Sequence, residues 1–223
     1  MLPLRDDVPR QKIPLATGLI ISINIIIYIQ QARLPEVTLH RVIETYGLIP
    51  IYFRQNPAGE FHTIFTSMFM HGGLGHLIVN MWILALFGDN VEDRMGRISF
   101  LIFYLLSGLA ASSTHMYFNI NSIIPVIGAS GAVAGVMAAY AFLFPSARVL
   151  TMIPIFIFPY ITTLPAFVFM GFWFLTQVYY GTMTLTMGAS YGGIAWWAHI
   201  GGFVFGAFFY RIFVRRRSDL IGY

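Results

Sequence analysis

An all-α fold, a polytopic membrane bundle of six transmembrane helices, is the class that the sequence predicts, and three observations predict it. Of 223 residues, 57% are hydrophobic and only 10% are charged, against about a quarter charged in a soluble domain. Mean hydropathy is +0.73. The apolar residues gather into six blocks, at 13–29, 69–87, 98–118, 127–144, 164–180 and 194–214, each near the ~20 residues that cross a bilayer as a helix. The expected organisation is a single membrane domain over 1–223, with a cytoplasmic N-terminus at 1–12, a six-helix core at 13–214 and a basic cytoplasmic tail at 215–223. With no Cys in the chain, disulfides, thiolate chemistry and Cys-based metal sites are excluded.

Taken in order, the first block is longer than the apolar part of a secretory signal and has no small-x-small cleavage site after it, so it reads as a retained anchor. The connection 30–68 is long and partly apolar over 46–53, which suits folding against the outer leaflet. The second block carries His71, His76 and Asn80, the fourth Ser130, and the sixth His199. Between the fourth and fifth, the stretch TMIPIFIFPYI is apolar but broken by Pro154 and Pro159, so it is expected to lie in the interface instead of spanning. The uncharged segment 181–193, with Gly188, Gly192 and Gly193, reads as a mobile flap.

Orientation follows from Lys and Arg, which cytoplasmic loops retain. One side collects Arg5, Arg10, Lys12, Arg94, Arg97, Arg148, Arg211, Arg215, Arg216 and Arg217; the other holds only Arg33, Arg41 and Arg54. Both termini are therefore expected in the cytoplasm. The net charge of +4 is then a topology signal, and the run 215–217 anchors to anionic headgroups, not to nucleic acid.

Polar residues inside spans cost free energy and ask for a reason. His76, Ser130 and His199 sit on three helices that enter from the external side, each about five to eight residues after its apolar block or the lead-in to it begins, roughly 8–12 Å deep at ~1.5 Å per residue. His76 and Asn80 share a helix face, whereas His71 points elsewhere. Small residues follow Ser130 (Gly131, Ala134, Gly135, Ala138) and His199 (Gly202, Gly206) at spacings that let two backbones approach closely. Such a contact brings Ser130 to His199, a nucleophile with its general base. No carboxylate lies within the blocks, which makes this a dyad. The available oxyanion donors are the Asn80 amide, the His76 imidazole and the Ser130 backbone N–H, with Gly128 and Gly131 permitting the tight turn.

The segments Gly128-Ala129-Ser130-Gly131, His71-Gly-Gly-Leu-Gly-His76-Leu-Ile-Val-Asn80 and Ala198-His199-Ile200-Gly201-Gly202, in that arrangement on alternate spans, resemble the rhomboid family of intramembrane serine proteases over nearly the whole chain. The resemblance implies Ser130 as nucleophile, His199 as base, and His76, Asn80 and the Ser130 amide as the oxyanion site. His71 is read as structural support, as are Gly128, Gly131, Gly202 and Gly206. The implied substrates are single-pass membrane proteins, cut near the external end of their span. No cofactor, metal, nucleic acid or obligate partner is expected, and the setting is a bacterial inner membrane with the site open to the outside. Two positions depart from the family: Phe61-His62 stand near its usual Trp-Arg pair, and Ala134 replaces the Tyr that stacks on the histidine in some members. Trp196 or Trp197 is expected to hold His199 instead. Trp82 reads as packing, and His40, His62 and His115 as solvated surface.

Other functions fit less well. A zinc intramembrane protease needs a motif such as HExxH, which is absent, and an aspartyl one needs two membrane Asp residues. A catalytically inactive relative that binds membrane helices would be expected to lack Ser130 or His199. A small transporter would need a polar path to the cytoplasm, whereas the polar residues stop in the outer half.

Overall fold

The computed structural model describes residues 1–155, 158–187 and 194–215, apart from the side chains of residues 155, 186 and 187. Strand β1 (Leu2–Asp6) precedes α1 (Leu15–Ala32), and four short helices follow: α2 (Glu36–Tyr46), α3 (Pro50–Gln55), α4 (Pro57–Glu60) and α5 (Thr63–Thr66). Then come α6 (Leu74–Met95), α7 (Arg97–Phe118), α8 (Ser130–Leu143), β2 (Arg148–Ile155), β3 (Phe158–Pro165), α9 (Ala166–Met187) and α10 (Trp196–Phe213). The six blocks are thus all helical. Among the described residues α1, α6 and α7 are long and apolar enough to cross a bilayer, and α8 is a shorter apolar helix. Ile26, Leu175, Phe208 and Ile212 stand exposed on the outside of the bundle, an arrangement that suits lipid as the surrounding medium.

The three strands correct the all-α expectation. They form one antiparallel sheet in the order β1-β2-β3, and the stretch expected to lie flat in the interface is its hairpin. Residues 148–165 are rich in Ile, Thr, Phe and Tyr, which suit a pleated surface, and Pro154 and Pro159 oppose helix formation. These two prolines face each other in register. The N-terminal residues, expected as a cytoplasmic tail, supply the third strand: Leu2 and Pro3 pair with Met152 and Thr151. The Asp7 N–H donates to the Arg148 carbonyl at 3.1 Å, and the Asp7 carboxylate accepts from the Arg148 N–H at 2.7 Å. Asp6 accepts from Asn90 of α6 at 3.0 Å and from the Tyr140 hydroxyl of α8 at 2.5 Å. The sheet bridges α6 and α9, with β1 packed on the first and β2 and β3 on the second. The N-terminal segment and the α8–α9 connection therefore share one end of the bundle.

At that same end, buried Glu92 of α6 caps α1. Its carboxylate accepts from the backbone N–H of Ala16 at 3.0 Å, from that of Thr17 at 2.8 Å, and from the Thr17 hydroxyl at 2.9 Å. These are the orphan donors of a helix start, where the dipole favours negative charge. Arg215 lies against the α6–α7 turn, its N–H donating to the Arg94 carbonyl at 3.1 Å; Arg216 and Arg217 lie outside the described residues.

Helix α8 is the centre of the molecule, buried throughout Gly131–Ala141. It packs most extensively against α10, which also lies along α7. A Cβ added at Gly202 would strike the Gly131 carbonyl oxygen, and one at Gly206 the Gly135 carbonyl oxygen. The small-residue stripes therefore meet backbone to backbone, as their spacing implied.

The opposite end is built from α2–α5 and residues 119–129. Leu48 and Val126 form an isolated bridge, and Leu48 is buried with Ile64 and Met116. His62, although exposed, is not simply solvated: its ring nitrogens reach the carbonyls of Gly59 at 2.9 Å and Thr45 at 3.1 Å. This histidine fastens α4 to the end of α2 near the place where the family has its Trp-Arg pair.

Candidate active site

Ser130 is the first residue of α8, and that helix has only 14 residues. Ser130 therefore sits with the unpaired N–H groups and the positive dipole end of a helix start. His76 and Asn80 lie in the first two turns of α6, and His199 in the first turn of α10. Three helix starts thus converge at one level.

The Ser130 hydroxyl oxygen lies 2.7 Å from His199 Nε2. The contact follows from the α8–α10 approach: Gly131, next to Ser130, and Gly202, about one turn after His199, leave no side chain between the backbones. His199 Nδ1 lies 2.8 Å from Oε1 of Gln177, in the middle of α9. Trp173 and Trp196 flank the imidazole, with ring centroids at 5.7 Å and 6.2 Å. Of the two tryptophans expected to hold His199, Trp196 touches it edge-on, while Trp197 stacks on Phe118 at 3.6 Å. The polar partner is Gln177, which stands in none of the sequence motifs.

Asn80 is buried, its Nδ2 has no hydrogen-bond partner among the described residues, and the residue lines the cavity that also holds Ser130 and His199. His76 packs against Gly128, where a Cβ would stand 2.7 Å from His76 Cε1. Gly128 also has φ +133°, a conformation that glycine adopts without strain. Its N–H donates to the Ser67 carbonyl at 2.9 Å, so the turn leading into Ser130 is fixed to the segment before α6. The other glycine of that turn, Gly131, faces Ala111 of α7.

His71 is buried, edge-on to His76 at 5.0 Å. The anchoring of this loop runs through its backbone: the His71 N–H donates to Gln31 Oε1 at 3.2 Å, and the His71 carbonyl accepts from Gln31 Nε2 at 3.4 Å. His115, expected at a solvated surface, is instead buried on α7 and lines the same cavity. His40 is exposed, as expected, and Trp82 ties β1 to α6 by donating to the Pro3 carbonyl at 2.7 Å.

The cavity has a volume of about 600 Å³ and extends from Ser130 and His199 down between α6 and α9. Its lower wall is apolar, formed by Ile83, Met137 and Phe169, and Met1 to Pro3 form its floor. Residues 181–187 of the expected flap continue α9, whereas Gly188, Gly192 and Gly193 lie outside the described residues. No cluster able to hold a metal ion is found among the described residues.

A family model described as the Rhomboid domain matches residues 58–216. The chain is 28% identical over 179 residues to the zebrafish (Danio rerio) presenilin-associated rhomboid-like protein A, mitochondrial, covering 76% of this chain and 44% of that one. It is 29% identical over 153 residues to rhomboid protein 1, mitochondrial, of Saccharomyces cerevisiae, covering 66% and 40%. Against the human presenilin-associated rhomboid-like protein, mitochondrial, it is 28% identical over 163 residues, covering 71% and 40%. The match spans less than half the length of each of these relatives. Their names are mitochondrial, so the expected bacterial inner membrane finds no support in them.

Proposed function

Because the chain belongs to the rhomboid family, we propose that it is an intramembrane serine protease that hydrolyses peptide bonds in or near the spans of single-pass membrane proteins. The observation that carries this reading is the 2.7 Å contact between Ser130 and His199 at a helix start inside a cavity lined by Asn80 and His76. In the proposed reaction the Ser130 oxygen attacks the scissile carbonyl carbon while His199 Nε2 takes the hydroxyl proton. The resulting oxyanion is met by the Ser130 N–H, the Asn80 amide and His76. Collapse breaks the C–N bond, with the histidine proton passing to the leaving amine. Water, deprotonated by the same imidazole, then releases the acyl group and regenerates Ser130.

Asn80 supports this reading in particular, since a buried amide nitrogen without a partner is costly unless it serves a bound group. The apolar lower half of the cavity suits a hydrophobic segment better than a conducted ion. We further propose that α1, α6, α7, α8, α9 and α10 form the six-helix membrane bundle, the short α8 enclosed by the others, with both termini cytoplasmic and the site opening toward the α2–α5 end.

Fluorophosphonate labelling of the purified chain in detergent, alongside cleavage of a reconstituted single-pass substrate, tests the proposal. Wild type should label and cleave. Ser130→Ala should do neither, and His199→Ala should lose cleavage, both at unchanged thermal stability. Labelling that persists in Ser130→Ala removes this serine as the nucleophile.

A further inference from the structure

We propose that Gln177 is the positioning residue of this site: its side-chain amide sets the tautomer and the ring orientation of His199, the task that a carboxylate performs in a Ser-His-Asp triad. The inference rests on the reading of Ser130 and His199 as nucleophile and base, and it adds a third, uncharged member from a third helix.

The proton placement follows from the partners. Gln177 Nε2 lies 3.1 Å from the Trp173 carbonyl oxygen and 3.0 Å from the Thr176 hydroxyl oxygen. A carbonyl oxygen only accepts, so the group facing it must be the amide NH2, and this fixes which way the amide points. Oε1 therefore faces His199, where an amide oxygen likewise only accepts. His199 Nδ1 must then carry the proton and donate across the 2.8 Å contact. The neutral ring has one remaining lone pair, on Nε2, and it faces the Ser130 hydroxyl at 2.7 Å. The tautomer needed for a general base is thus imposed before substrate arrives. When Nε2 takes the Ser130 proton, the same Oε1 goes on accepting from Nδ1 of the imidazolium.

Three further features make this a built arrangement. Gln177 is 4% exposed, so water does not compete for Oε1. The Trp173 and Trp196 rings that flank the imidazole confine its tilt. Helix α9 runs beside α10 and contacts α8, which lets one helix report its position to the base on its neighbour. A buried amide is also the cheaper orienting group here, because an ionised carboxylate at this depth would carry a large desolvation cost.

The test compares Gln177→Leu, which keeps the volume and removes the acceptor, with Gln177→Glu, which keeps the acceptor. In the full chain reconstituted with a single-pass substrate, Gln177→Leu should lower kcat about 10- to 100-fold, part of the ~10²–10⁴-fold that a positioned general base supplies, with KM and Tm near wild type. Gln177→Glu, held at this depth as the neutral acid, keeps a carbonyl acceptor toward His199 and an O–H donor toward the Trp173 carbonyl, and should recover most of that loss. Independently of activity, ¹⁵N spectra of ring-labelled histidine, with the His199 signal identified by its loss in His199→Ala, should show a protonated Nδ1 and an unprotonated Nε2 in wild type, and a mixture of tautomers in Gln177→Leu. Full kcat in Gln177→Leu, or a wild-type His199 protonated on Nε2, overturns the assignment. A wild type that neither cleaves nor labels at Ser130 defeats the protease reading instead, and the ¹⁵N measurement still decides the tautomer.

Discussion

Gly128 does two things that no other residue can do at its position. Its φ of +133° shapes the turn into α8, and its missing side chain leaves room for the His76 ring, which a Cβ would approach to 2.7 Å. Gly128→Ala should therefore displace both the Ser130 N–H and His76, and should lower kcat about 10²-fold, the scale of a 1 Å misplacement, while Ser130 still reacts slowly with a fluorophosphonate. Asn80→Ala removes one of the several oxyanion donors proposed for this site and leaves the attacking Ser130 and its base in place. Turnover should fall about 10- to 1000-fold, and a loss as complete as that of Ser130→Ala would give Asn80 a different role. Most of the grouping at the candidate site was legible at this scale, because Ser130, His199, His76 and Asn80 stand in short local motifs at helix starts. Gln177 was not. It lies 22 residues before His199 in an apolar helix, and only the rotation of α9 against α10 brings the two together, which no local pattern encodes.

Among the elements, α8 and α10 depend on the absence of side chains where they cross. Gly202→Val places two methyl groups against the Gly131 backbone, which belongs to α8 and cannot move independently of Ser130. Thermal stability and activity should fall together; a fully stable and active variant would refute the close crossing. The Glu92 cap makes a different case, because its effect is on stability alone. Glu92→Ala leaves the first N–H groups of α1 and the Thr17 hydroxyl without their acceptor in a buried setting. The cost should be about 1–3 kcal/mol, read as a lower Tm with fluorophosphonate reactivity retained at low temperature. The helices were legible in the sequence because a run of apolar residues near 20 long has few other uses. The sheet was not, since β1 and β2 are joined by about 140 residues of intervening chain, and a strand's partner cannot be read from its own composition. Pro154 and Pro159 announced a break in helix, and the structure shows that the break is a hairpin completed by the N-terminus.

At the scale of the whole molecule, the two ends of the bundle differ in what they hold. One end gathers β1, the base of the hairpin, the Glu92 cap and most of the arginines; the other gathers α2–α5 and the turn before Ser130. The absence of cysteine makes the sidedness directly measurable. Single cysteines at the exposed positions Arg10 and Glu44 should behave oppositely toward an impermeant maleimide in sealed right-side-out vesicles, Glu44→Cys labelling and Arg10→Cys not. Labelling of both, or the reverse pattern, would invert or abolish the proposed topology. Under the proposed function, the same geometry predicts where a substrate is cut. A substrate helix cannot present its peptide carbonyl to Ser130 while that carbonyl accepts from the N–H four residues later, so it must unwind at the level of the site. Because Ser130, His199 and Asn80 all lie at helix starts near the α2–α5 end, unwinding is required only in the corresponding third of the substrate span. Gly there lowers the cost by about 1 kcal/mol, and Pro by about 3 kcal/mol. Scission should therefore fall near that end of the span, and mass spectrometry of the products reads its position. A poly-Leu span should be cut far more slowly than the same span carrying a Gly-Pro pair in that third. A cut at the basic end, or equal rates for the two spans, would mean that the chemistry is not where these three helix starts converge.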